Sequence, residues 1–385
     1  MRPVILSAFG PPALACIRSW GQQGWEPGLI CIRSDEESGP ASRYLSGWTT
    51  LSREKVHTDE GIELIAEFLA KFNADGIIAI DEKVSIWINK HRDKFPRKTA
   101  IWLQDNAVIE NVLSKERQTE VAKAVGLNVL PTYLLSPKNE ILIAPEHFPL
   151  CLRPSEPGGA GFKVKIVSSR EELAQFLGGC PHGFTIIGQP FMSLPNLVVH
   201  GARSHTGATL GIQGFLVARK FEGVTLTITP IASPLNIFSK CIDFTNAFNI
   251  VGNYHFEFLF DPNTEAAYFL EINSRLGGTT AKVFPCGYNE PVIALESFGI
   301  TPNIQRAVEP LPVTVSNKQA LIKYLYYALG NRLGPLDYPE EPMSKRIYKT
   351  LRGFMTYRDD VISISDMRGS LALYFGNLKA KLKSA

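Results

Sequence analysis

The stretch "YFLEINSRLGGTT", residues 268–280, carries an acid, an amide and a base at every second position: Glu271, Asn273 and Arg275. Alternate residues of a strand share a face. Upstream lies "YHFEFLF", residues 254–260, and between the two stand the turn formers Asp261, Pro262 and Asn263. The two stretches therefore read as a hairpin. Pairing Phe260 with Tyr268, Phe258 with Leu270 and Phe256 with Ile272 sets apolar against apolar; a one-residue slip would set apolar against polar. In that register Glu257 faces Glu271. Two carboxylates facing across a ladder repel. A divalent cation relieves the repulsion. Mg²⁺, which favours carboxylate and amide oxygens and keeps water and phosphate ligands, suits Glu257, Glu271 and Asn273. Arg275, two residues on, would reach a phosphate. A solvated strand face, with ion pairs to Arg275 or Lys282, is the alternative the hairpin alone leaves open.

A second segment, "LRPSEPGGAGFKVKIV", ends an apolar strand with Arg153 and continues through Gly158, Gly159 and Gly161 to Lys163 and Lys165. Glycines let successive backbone N–H groups close over phosphate oxygens, and flanking cations neutralise them. A plain flexible turn would not need bases on both sides. Arg203, Arg219 and Lys220 lie on strands that either face the same cleft, where they would bind a carboxylate, or carry surface charge. His200, His205 and His255 have no metal-ligand spacing. His255, on the acid-bearing face, reads as structural before it reads as a proton acceptor for an amine.

These groups need elements to hold them. Residues 1–108 alternate in type: "PVILSAF" and "EPGLICIRS" are strands, "PALACIRSWGQQG" and "GIELIAEFLAKF" helices, and "GIIAID" a third strand. That order implies a parallel, doubly wound α/β sheet. The first turn, "FGPPAL", lacks the G-x-G-x-x-G fingerprint of a dinucleotide site. Residues 109–310 read as α+β. Ser114 caps a helix that stops at Gly126, and consecutive antiparallel strands follow the glycine-rich loop. A helix around 236–252 is only weakly signalled. Beyond residue 310, "NKQALIKYLYYALGNRL" is an amphipathic helix in a segment that forms either a small lobe or an extension packed on the first domain.

Taken together, "FEFLFDPNTEAAYFLEINSRLGG", the Arg153 strand with its glycine loop, and the hinge-like "IIGQPFM" resemble the ATP-grasp superfamily. The branch is that of carbamoyl-phosphate synthetase, biotin carboxylase and carboxylate–amine ligases. The resemblance spans roughly residues 1–300. It implies an ATP-grasp fold with an N-terminal Rossmann-like domain (1–108), a small subdomain bearing the glycine loop (109–186), a large subdomain bearing the metal hairpin (187–310) and a C-terminal extension (311–385). It implies ATP and Mg²⁺ as cofactors, with Mn²⁺ as a substitute ion. Glu257, Glu271 and Asn273 match the metal ligands. Arg275 matches the arginine that stabilises charge on the transferred phosphoryl group. Lys115 matches a phosphate-binding lysine, and Arg153 occupies a strand-end position that is lysine in many members. Gly158, Gly159, Gly161 and Lys163 would cover the phosphates, and the hinge at Gln189, Phe191 and Met192 would meet the adenine. Gln189 and Asn196 stand where acids are usual, and Pro190 removes a donor. The implied reaction is ligation of a small-molecule carboxylate to an amine by way of an acyl phosphate. Kinase or carboxylase chemistry, or a regulatory nucleotide binder, are the alternatives. The chain has no biotin-carrier motif, no Cys–His amidotransferase site and no second copy of the grasp. Many relatives are dimers, which makes a homodimer the oligomer to test.

Gross composition agrees. The chain has 385 residues, too many for one ordinary core, with 45% apolar and 20% charged residues and a net charge of +3. That charge is too small to mark a nucleic-acid or membrane-surface footprint. No apolar run reaches the roughly 18 residues that span a bilayer, and Gly10-Pro11-Pro12 interrupts the apolar start, against a signal peptide. The basic end, Lys379, Lys381 and Lys383, reads as a solvated tail. Six scattered cysteines without C-x-x-C spacing suit buried thiols and a cytoplasmic setting.

Overall fold

The computed structural model describes residues 1–385 apart from 35–38, 137–142, 156–160, 181–183, 232–235, 306–309 and 384–385, and side chains as far as residue 376. Gly158 and Gly159, and the side chains of Lys379, Lys381 and Lys383, lie outside that description.

Strands Pro3–Ser7, Gly28–Arg33, Gly47–Ser52, Gly76–Ala79 and Ala100–Ile101 form a five-stranded sheet, every pair parallel, in spatial order third, second, first, fourth, fifth. Two of these strands escape the sequence pattern. Gly47–Ser52 is a half-exposed edge and Ala100–Ile101 is two residues long. Local chemistry sets the helices between them. Helix Asp59–Phe72 begins where Thr58 Oγ1 accepts the Gly61 N–H at 3.1 Å, and ends at Asn73, which takes a left-handed φ of 58°. Helix Glu82–Lys90 begins at Asp81, whose Oδ1 accepts the Val84 N–H at 3.0 Å.

Beyond the first sheet the described residues hold two further sheets. Four antiparallel strands, in the order Tyr133–Leu135, Ile186–Pro190, Leu150–Pro154, Lys165–Val167, make the smaller. The larger has eight, with Thr209–Phe221, Asn196–Arg203, Gly252–Asp261 and Ala266–Asn273 adjacent at its centre. Asn128–Val129 joins its edge in parallel with Ala266–Asn273. Segment 109–186 therefore contributes to both sheets, and strand Ile186–Pro190 straddles the boundary expected at 186/187. The weakly signalled helix is present as Ile237–Ala247. Its Phe244 packs edge-on against Phe256 of the hairpin, with ring centroids 5.2 Å apart, inside a core that includes Phe258, Phe269 and Ile272.

The C-terminal segment joins the large sheet and also touches the first domain. Val315–Ser316 and Arg358–Asp359 extend the large sheet. Asp366 meanwhile receives Arg18 Nε at 2.9 Å and Ser42 Oγ at 2.8 Å from the first domain. All six cysteines are free thiols. Among the described residues no helix is long and apolar enough to cross a membrane.

Candidate active site

Glu257 and Glu271 are direct cross-strand partners, as are Phe256 and Ile272. Beyond Glu257 the expected register fails. Phe258 pairs with Phe269 and Phe260 with Ala267, so Phe258–Leu270 and Phe260–Tyr268 are not pairs. A bulge inserts Leu270. Bulges re-aim side chains beside functional sites. Here Phe269 takes the core position while Leu270 and Glu271, consecutive in sequence, both line one cleft with Glu257 and Leu259. Apolar matching fixes parity along a strand but cannot foresee an extra residue.

The cleft encloses about 440 Å³ and lies between the small and large sheets. It is within the usual range for small-ligand sites, roughly 300–1,000 Å³. Lys115, Arg153, Lys163, Gln189, Phe191, Met192 and Asn196 all line it. Ser114 is the N-cap of helix Lys115–Ala124, its Oγ accepting the Arg117 N–H at 3.3 Å, which starts the helix with Lys115 turned to the hairpin. Lys115 Nζ stands 3.1 Å from Glu271 Oε2, and Arg153 Nη1 stands 3.8 Å from the same oxygen. Gly161 takes a φ of +75°, a conformation glycine adopts without strain, and sits in open space. Lys165 points elsewhere, to Glu172 at 3.6 Å.

The two facing acids differ electrostatically. Burial, then the charge of Glu271, pushes Glu257 up to about 7. Burial would raise Glu271 as well, but Lys115 and Arg153 more than reverse it and hold Glu271 below its ordinary value. Among the described residues the one hydrogen-bond partner of the Glu257 carboxylate is Asn196 Nδ2, at 3.4 Å. The two facing carboxylates, with Arg153 and Lys220 in electrostatic reach of Glu257, make an oxygen donor set. It fits a hard divalent cation with oxygen ligands.

The positions that depart from the usual acids have local work. Gln189 Oε1 accepts Arg153 Nη2 at 2.7 Å, and Gln189 Nε2 donates to Thr132 Oγ1 at 3.0 Å, so this side chain aims Arg153. Asn196 Oδ1 accepts Lys220 Nζ at 2.9 Å. Lys220, held below its ordinary value chiefly by burial, is thus a cleft residue. Its two companions are not. Arg203 binds Asn246 Oδ1 at 2.8 Å and the Ile250 carbonyl at 3.0 Å. Arg219 is buried against Tyr324 and pairs with Glu341 at 2.7 Å. At the hinge the Phe191 N–H donates to the Pro149 carbonyl at 2.7 Å, so that donor is already spent within the chain.

Arg275 does not line this cleft, although its charge reaches Glu257. Its Nε is 2.7 Å from Glu82 Oε1, at the carboxyl end of strand Gly76–Ala79. Ligands of open parallel sheets gather at such strand ends, so Glu82 had a positional signal that the glycine-rich patterns overshadowed. Behind Arg275, Glu290 accepts His200 Nδ1 at 2.9 Å, Asn253 Nδ2 at 3.2 Å and Thr280 Oγ1 at 2.6 Å. Thr280 Oγ1 in turn accepts the Gly277 N–H at 2.9 Å, which pins the loop after Arg275. Nothing in "NEP" distinguishes Glu290 from an ordinary acid at a helix start. His255 stacks on His200 at 5.3 Å and is lowered to about 3, by burial first and then by the neighbouring His200. Its Nδ1 is buried without a hydrogen-bond partner among the described residues, so the structural hydrogen bond read from the sequence is not made there. Ligand atoms of His200, His255 and Glu290 lie within 4.8 Å of one another, although the sequence shows no metal-ligand spacing. Leu336 of the C-terminal segment also lines the cleft, held by a two-way backbone bridge between Lys220 and Tyr338.

No family model and no curated protein sequence matches the chain. Solved structures do. An L-amino acid ligase from Bacillus licheniformis superposes with a TM-score of 0.59 at 15% identity, covering 80% of this chain and 79% of that one. An N5-carboxyaminoimidazole ribonucleotide synthetase, solved with ADP, gives a TM-score of 0.64 at 11% identity over 92% of this chain and 96% of that one. A biotin carboxylase from Campylobacter jejuni, solved as a β-γ-ATP complex, gives 0.61 at 16% identity over 81% and 74%. The chain has the ATP-grasp fold, in the version shared by these proteins.

Proposed function

We propose that the chain is an ATP- and Mg²⁺-dependent ligase. It activates a small-molecule carboxylate as an acyl phosphate and joins the acyl group to an amine, with amino acids first among the candidates. One observation carries the reading: Glu257, Glu271, Lys115 and Arg153 converge on one cleft, two acids in register and two cations on the ionised one. The named neighbours support it, since the same fold serves an amino acid ligase, a synthetase and a carboxylase.

The roles follow from position. Glu257, Glu271 and Asn273 hold Mg²⁺, which when bound neutralises phosphate oxygens. Lys115, Arg153 and Lys163 neutralise the phosphate end of ATP, and the glycine-rich loop closes over it. Gln189 keeps Arg153 aimed, while Phe191, Met192 and Leu270 offer apolar surface to the base. Asn196 and Lys220 meet the ribose side. A carboxylate oxygen attacks the terminal phosphorus and ADP leaves. The amine nitrogen then attacks the acyl carbon, the C–O bond to phosphate breaks, and the amine gives up a proton. Arg275 stabilises the negative charge that gathers on the phosphoryl group. Catalysis on this account is mostly positioning and charge neutralisation.

Release of ADP and phosphate, measured across a panel of carboxylates with and without amines, tests the reading. Ligation requires both substrates and a new C–N bond in the product. Phosphoryl transfer without an amine would instead mark a kinase or carboxylase, and Mg-ATP binding with no stimulated turnover would mark a regulatory binder.

A further inference from the structure

Among the described residues eighteen large apolar side chains are exposed, and thirteen of them fall between Ile322 and Phe375. Two neighbouring helices, Lys318–Leu329 and Met343–Thr356, carry the most regular part. On the first, Ile322, Tyr326 and Leu329 are 59%, 63% and 62% exposed at spacings that put them in one row. On the second, Tyr348, Leu351 and Met355 form a similar row, with Met355 80% exposed. Soluble surfaces scatter such residues singly; rows of them mark contact faces.

Charge says what kind of contact. Neither helix contains an acid, and beside the Tyr348 row stand Lys345 and Arg352, with Lys349 between them paired to Glu341 at 2.8 Å. Lys318 Nζ lies 5.5 Å from the centre of the Phe354 ring on the other helix, and the Arg332 guanidinium lies 4.4 Å from that of Tyr326. Residues 311–385 hold 12 Lys and Arg against 6 Asp and Glu, while residues 1–310 hold 28 against 31. The net charge of +3 hides this asymmetry. A second copy of the same face would set cations against cations. An anionic bilayer would not: basic side chains meet headgroups while Leu, Met and Tyr enter the interface, the arrangement of amphipathic helices that lie on membranes.

We infer that the helix pair Lys318–Leu329 and Met343–Thr356 is a docking face for an anionic lipid surface, which would hold the cleft beside a membrane without spanning it. The inference does not depend on the reaction proposed above.

The full chain is sedimented with vesicles of phosphatidylcholine alone and of phosphatidylcholine mixed with phosphatidylglycerol, at low and high salt. Binding is expected to the anionic vesicles only and to weaken with salt. Lys345→Glu with Arg352→Glu should lower the partition coefficient at least tenfold, each cation contributing about 1 kcal/mol near such a surface. Leu351→Asp with Met355→Asp should abolish binding with the unfolding temperature unchanged. Sedimentation velocity without lipid completes the test. Equal partition of wild type and variants, or absent binding to anionic vesicles, would overturn the inference. So would a wild-type dimer that the Leu351 and Met355 substitutions split while no vesicle binding is seen, since the face would then join two copies.

Discussion

Glu82 of the first domain and Arg275 of the large sheet form an ion pair of 2.7 Å, with side chains only 15% and 27% exposed. The pair ties the candidate phosphoryl-stabilising arginine to the end of a parallel strand outside the grasp. Glu82→Gln keeps the shape and removes the charge. We expect kcat to fall about 100-fold, as small misplacements of a catalytic group do, with the KM for ATP little changed. Steady-state kinetics on the two parameters separately will check this. A rise in KM alone would place Arg275 in ground-state binding instead.

Gly277 is a second lever on the same arginine. A Cβ there would come within 2.6 Å of His255 Cε1 and 3.1 Å of an Arg275 guanidinium nitrogen. The buried His255 cannot yield easily, so Gly277→Ala should move the loop rather than the ring. Activity is expected to drop at least tenfold while nucleotide affinity, read by calorimetry, stays near wild type.

The junction between the C-terminal segment and the first domain carries a pH dependence. Burial raises Asp366, but the Arg43 N–H, Arg18 and Ser42 outweigh it and hold the carboxyl below its ordinary 3.8. A depressed acid stabilises the fold above its unfolded value, and that contribution is lost as pH falls through the folded one. Asp366→Asn should therefore flatten the acid limb of the stability curve below pH 3.8. At neutral pH it should cost about 3 kcal/mol, because Arg18 is left buried without its partner. Denaturant unfolding from neutral pH down through the acid range will check both effects.

How far the sequence carried this site depends on the kind of interaction. The facing of Glu257 and Glu271 was legible because apolar alternation on both strands allows one parity. The bulge at Leu270 was not, since an inserted residue leaves no mark in a two-residue period. Lys115 was singled out by the family resemblance, and it opens a helix capped by Ser114. Arg203 and Arg219 could not be told from Lys220, because strand alternation says which face a side chain takes but not what packs over it. Arg219 proved to be covered by Tyr324 and Glu341, more than a hundred residues away in sequence. Glu82 meets Arg275 across a still longer separation, and Glu290 meets His200 across 90 residues. The parallel first sheet was readable from its three apolar strands, and its two short or half-exposed ones were not.

The central claim is that Glu257 and Glu271 form one cation site that holds ATP phosphates. Calorimetric titration of a non-hydrolysable ATP analogue, with Mg²⁺ and with a chelator, tests it most directly on wild type and on Glu271→Ala. The account predicts that Mg²⁺ tightens binding to the wild type at least tenfold and does nothing for the variant. Equal Mg²⁺ dependence in the two proteins would contradict it.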